Sequence, residues 1–181
     1  MTKDDVIERL AFAERRLQDI LNLNDGNLPG AEPSERQQII QEFFFHLVGT
    51  TEVLAQLVNE ARSLGLDTED VNVSTVADKL ANTDPIKSLL GSLYQRTRKK
   101  RLLGDPHSDQ GYIFRILNYR NQVTHRRRNP FLFRIGSIPS TSFWIDSRDQ
   151  SIGASSKSAQ EELEYMFQLV STQCKSILSL L

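Results

Sequence analysis

The chain predicts an all-α bundle of five or six helices with one short β-hairpin before the last helix. Two observations lead there. Apolar residues recur at helical spacing over most of the 181 residues, and the pattern changes to short extended runs only between about 131 and 147. At this length the simplest organisation is a single domain, 1–181, with the hairpin as an insertion.

The elements follow in order. Residues 4 to 22 carry Val6, Leu10, Ala13, Leu17, Ile20 and Leu21 on one helical face. NDGNLPGAEP breaks the pattern, and Pro33-Ser34-Glu35 opens a long helix over 34–64 that ends at Leu64-Gly65. Its Ile40, Phe43, Phe44, Leu47, Val48, Leu54, Leu57 and Val58 make it the central helix. Ser74 is read as the cap of a short helix through Leu80, and Asp84-Pro85 as the start of one running to about Arg98. After the loop LLGDPHS, Asp109 is expected to cap a helix that must stop by Asn129-Pro130. FLFRIGS and SFWID, with Trp144, form the hairpin, and a Ser/Gly-rich linker leads to a last helix over 158–180.

Composition narrows the function classes. No run of about 18 apolar residues occurs, which argues against a membrane span. The acidic, amphipathic start MTKDDVIERL does not resemble a signal peptide, so a reducing cytoplasm is expected. Cys174, with Leu169, Val170 and Ile177 nearby, reads as a buried structural thiol. The three histidines lack metal-ligand spacing, so no metal or cofactor is expected. His46, one turn before Thr50, reads as a core or interface histidine bonded to a hydroxyl, and His107 as solvated.

The formal net charge of -1 hides a strong segregation. Tyr94 to Arg134 hold eleven Lys or Arg and two acids, which is +9 and leaves -10 on the other residues. An anionic partner for one face explains this, and so does neutralisation of the two parts within the fold.

At 100° per residue, Ile113, Ile116, Leu117, Val123, Thr124 and Tyr112 fall within about 80° of Arg120, placing it centrally in the apolar stripe. Asn121 and His125, four apart, share an adjoining polar face with Phe114 and Asn118, while Arg115 and Arg126 take the opposite flank. A charge so placed needs a partner. It is either a carboxylate of the long helix, Glu42 or Glu52, or a ligand phosphate met by a bidentate contact.

Arg120-Asn121 and His125 make R-N-x-x-x-H near the end of a late helix in an all-α chain, within its most basic segment. This resembles the HEPN superfamily, whose ribonuclease members carry R-x(4–6)-H. The resemblance covers residues 1 to 128 and the last helix; the hairpin lies outside the minimal family bundle. It implies a metal-independent endoribonuclease for single-stranded RNA, working as a homodimer with a composite cleft. Arg120 would hold the scissile phosphate and His125 would serve as general acid or base in attack by the ribose 2′-OH. Asn121 would orient His125 or bind a phosphate oxygen.

The chemistry is compatible: imidazole exchanges protons near neutrality, and a guanidinium stabilises a phosphorane without metal. Arg126, Arg127 and Arg128 would follow the RNA backbone. Arg96, Arg98, Lys99, Lys100 and Arg101 would guide RNA or form a plain solvated helix end. Tyr112 and Tyr119 could stack on bases, with core packing the simpler reading. Family precedent places such enzymes in toxin–antitoxin or defence systems, with an antitoxin partner. A non-catalytic RNA- or nucleotide-binding module and a structural helical protein are the alternatives.

Overall fold

Six helices hold most of the residues that the computed structural model describes, which are 1–24, 33–94, 105, 107–124 and 159–181. They are α1 (Lys3–Asn24), α2 (Pro33–Ala61), α3 (Val73–Lys79), α4 (Pro85–Ser92), α5 (Asp109–Thr124) and α6 (Ala159–Leu180). The described residues contain no strand. The expected hairpin and Trp144 lie outside them.

The long helix is the axis of the bundle. Phe43, Phe44, Leu47, Leu54 and Val58 of α2 are all fully buried. Each such side chain contributes about 1.5–3 kcal/mol by leaving water. Helix α1 runs antiparallel to α2: the N-terminal ammonium meets Glu60 at one end, and Arg16 meets Glu42 toward the other, both at 2.8 Å. Helix α5 crosses α2, with the Tyr119 ring 5.2 Å from that of Phe44. Helix α6 packs on α1, α2, α4 and α5, and α3 joins α2 to α4. Val6, Phe43, Leu90, Ile116 and Ile177 thus belong to one continuous core.

Four helix ends differ from the sequence reading. The long helix stops at Ala61 rather than Leu64. Leu64 N–H bonds to Asn59 O at 3.0 Å and Ser63 N–H to Glu60 O at 3.1 Å, the paired closure of a Schellman turn. Ser63 takes the left-handed position at φ +50°, where glycine is usual, and Gly65 follows at +70°. Asn72, not Ser74, caps α3. Its side chain accepts from the N–H of Ser74 and Thr75, both at 3.0 Å, and Thr75 returns a bond to Asn72 N–H. Amide and hydroxyl thus satisfy each other's exposed donors, an option that the nearby Ser74 obscured.

Helix α4 begins as expected, with Asp84 accepting from Ile86 N–H at 2.9 Å and Pro85 in the first turn. It stops at Ser92 instead of running to Arg98, with Leu93 closing the last turn. At α5 the cap is Ser108, whose hydroxyl accepts from Gly111 N–H at 3.2 Å. Asp109, freed from that task, accepts a 2.6 Å bond from the Tyr165 hydroxyl of α6.

Candidate functional site

Helix α5 holds Arg120 and Asn121 of the sequence-predicted site, and its rotation decides which side chains are buried. Among its described side chains the buried ones are Tyr112, Ile113, Arg115, Ile116 and Tyr119; those of residues 122–124 lie outside the description. The buried side chains are therefore centred between Ile116 and Tyr112, about 70° from Arg120 at 100° per residue. Arg120 stands on the flank rather than in the middle, and Leu117 is only half-buried. The cause is placement of the neighbours. The Tyr119 ring packs on Phe44, the Tyr112 ring lies 4.9 Å from Tyr165, and α6 covers the Arg115 side. Both tyrosines are core residues, 1% and 2% exposed, which removes them as base-stacking platforms.

Arg120 reaches across to α2. Its Nη2 donates to Glu52 Oε1 at 2.9 Å and its Nη1 to Asn121 Oδ1 at 3.3 Å. Of the two candidate carboxylates it is Glu52 that meets Arg120; Glu42 instead takes Arg16 Nε of α1 at 2.8 Å. The Arg120–Glu52 pair is open to solvent, with 28% and 47% of the side chains exposed. Exposed pairs of this kind contribute about 0–1 kcal/mol, so a competing anion meets little resistance. The structure thus brings Arg120 and Asn121 together with Glu52. His125, Arg126, Arg127 and Arg128 lie outside the described residues, as do Arg96, Arg98, Lys99, Lys100 and Arg101.

The middle of α5 holds a group that the apolar pattern gave no reason to expect. Arg115 and Glu162 are 1% and 0% exposed, and the guanidinium meets both carboxylate oxygens, Nη2 to Oε2 at 2.6 Å and Nη1 to Oε1 at 3.3 Å. The guanidinium also lies 5.0 Å from the centre of the Tyr112 ring. Burial alone would push Arg115 down. The hydrogen bond and charge of Glu162, with a contribution from Tyr119, more than reverse that and hold it above its ordinary value. Burial raises the Tyr112 phenol, and the Glu162 charge adds to the effect. His107, expected to be solvated, is half-buried. Its Nδ1 lies 3.7 Å from Glu162 Oε1 and its ring packs edge-on to Tyr112. The usable signals were Glu162 in the first turn of an amphipathic helix and an arginine on a stripe flank.

Two further residues complete the inventory. The Thr50 hydroxyl does lie beside His46, but it donates to the His46 carbonyl at 2.9 Å and not to the ring. That ring stacks on Phe12 of α1. Cys174 is fully buried, and burial pushes its thiol up to about 12. No helix among the described residues is long and apolar enough to cross a membrane, and no described group of His, Cys, Asp or Glu is arranged to hold a metal ion. Comparisons of the chain with protein-family models, with curated proteins and with solved structures return no match.

Proposed function

We propose that this chain is an HEPN-type helical domain that binds single-stranded RNA and cleaves it without a metal ion. The observation that carries the reading is the state of Arg120. It stands near the C-terminal end of α5, partly exposed, in contact with Asn121 and paired with Glu52 in a solvent-open contact. An RNA phosphate offers the same guanidinium two oxygens in bidentate geometry and displaces a carboxylate that contributes little.

In the proposed reaction Arg120 takes the scissile phosphate and stabilises the charge that develops on its oxygens. His125 accepts the 2′-OH proton or protonates the leaving 5′-oxygen, giving a 2′,3′-cyclic phosphate. The basic runs Arg96, Arg98–Arg101 and Arg126–Arg128 supply attraction to the backbone. A homodimer bringing two copies of residues 120–125 together completes the cleft, and a toxin–antitoxin or defence setting in the cytoplasm follows from the same resemblance.

The test is cleavage of single-stranded RNA in EDTA by the full chain, by Arg120→Ala and by His125→Ala. Loss of cleavage in both variants, with helical content and association unchanged, supports the reading; undiminished cleavage in both overturns it. The contact to Glu52 also favours a second reading, in which Arg120 simply ties α5 to α2. That reading expects neither RNA binding nor cleavage by the wild-type chain.

A further inference from the structure

The α1–α2 face carries a second arrangement of flat and cationic groups. The Arg15 guanidinium lies 4.6 Å from the Phe12 ring centre. Phe12 stacks on His46 at 5.3 Å and 21°, and His46 meets the edge of Phe45 at 5.5 Å and 76°. Phe45 is 47% exposed, the one aromatic among the strongly exposed large apolar side chains of the described residues. Arg9 extends over α2 at Gly49, where an added methyl group would stand 2.9 Å from its Nη1. The absence of a side chain at Gly49 thus makes room for the guanidinium.

Among arginines with described side chains, Arg16, Arg62, Arg115 and Arg120 each meet a carboxylate within 4.0 Å. Arg9 and Arg15 form no such pair with a described residue, and both flank the aromatic stack. Arg16 occupies Asp19 and Glu42, two carboxylates near the same face.

We propose that Arg9, Phe12, Arg15, Phe45 and His46 form a docking platform for single-stranded nucleic acid, with a base against Phe45 and phosphates against the two arginines. Bases stack on exposed rings without regard to sequence, and unpaired guanidinium groups hold the backbone. The platform also points toward the α5 site. Phe45 and Glu52 lie within about 20° around α2 and ~10 Å apart along it. A strand seated on Phe45 therefore runs toward the Arg120–Glu52 pair. This inference concerns binding alone and stands whether or not the chain cleaves RNA.

Fluorescence anisotropy of the full chain with short labelled oligouridylate and oligothymidylate tests it, because the DNA oligomer lacks the 2′-OH and cannot be cut by the proposed route. Phe45→Ala is expected to weaken both about 5- to 100-fold with helical content unchanged. Arg9→Gln with Arg15→Gln is expected to lower the slope of log affinity against log salt by about 1–2. Wild-type affinity and slope in these variants overturn the proposal. So does tighter binding of duplex than of single strands, or a Phe45→Ala chain that loses self-association but keeps its affinity.

Discussion

Arg115 and Arg120 belong to the same helix and each meets a glutamate, yet they represent opposite uses of an ion pair. Arg115–Glu162 is sealed in the core between α5 and α6, with both carboxylate oxygens engaged. Arg120–Glu52 spans α5 and α2 at the surface through one carboxylate oxygen. In water-free surroundings, removal of either partner strands a charge, so the first pair is obligatory once present. In solvent, either partner can exchange for an ion or a ligand at small cost, so the second pair is available. The chemical groups are the same, and the two pairs differ in burial and in how many carboxylate oxygens the guanidinium engages.

The sharpest test of that contrast is Arg115→Met, expected to cost about 3–5 kcal/mol in urea unfolding because Glu162 is left buried and unpaired. Adding Glu162→Leu should recover most of the loss. A cost for Arg115→Met below about 1 kcal/mol would erase the distinction between the pairs.

Arg120→Ala should change stability by less than about 1 kcal/mol, while RNA cleavage measured in EDTA falls at least about 100-fold. The two quantities separate here, whereas at Arg115 they should fall together. Glu52→Gln sharpens the point from the other side. Releasing Arg120 should tighten oligouridylate binding a few-fold in a titration. Weaker binding would mean that Glu52 positions Arg120 for RNA rather than competing for it.

His46 provides an intermediate case. Its imidazole is held below its ordinary value, first by partial burial and then by the charge of Arg9, with Arg15 and Arg16 adding to this and Glu42 opposing it. The unfolded chain therefore binds the proton more readily. Stability should be full above about 6.5 and decline as pH falls through the lowered folded value. Thermal unfolding followed between neutral and mildly acid pH should show a shallower decline in His46→Gln. The smallest effect is expected from salt: molar NaCl should remove what remains of the Arg120–Glu52 contribution and leave Arg115–Glu162 intact.

The sequence made some of these features legible and hid others for identifiable reasons. Apolar spacing located the bundle and its central helix, because Phe43, Phe44, Leu47 and Leu54 leave α2 no other buried face. Ends were harder wherever two residues could serve. Asn72 and Ser74 compete for one cap, and Ser63 performs a turn usually assigned to glycine. The α5 face was misread because apolar counting treats Tyr119 and Arg115 as marginal. A tyrosine ring against Phe44 and an arginine neutralised by Glu162 occupy a core as fully as leucine does. Glu52 was legible only as one of two carboxylates, beside a ligand phosphate, because the sequence does not fix which turn of the long helix faces Arg120. The Phe12–His46–Phe45 stack was not, because it is assembled across two helices whose register depends on packing.

One buried atom offers a direct handle on the whole molecule. Cys174 is the chain's single sulfhydryl, enclosed in α6 and held almost wholly protonated at neutral pH. A thiol-reactive dye can therefore label the chain only during excursions that lift α6 off the core. Each molecule carries its own clock for such openings. The rate at which colour develops, compared with and without RNA, would show whether an occupied surface slows the breathing of the interior.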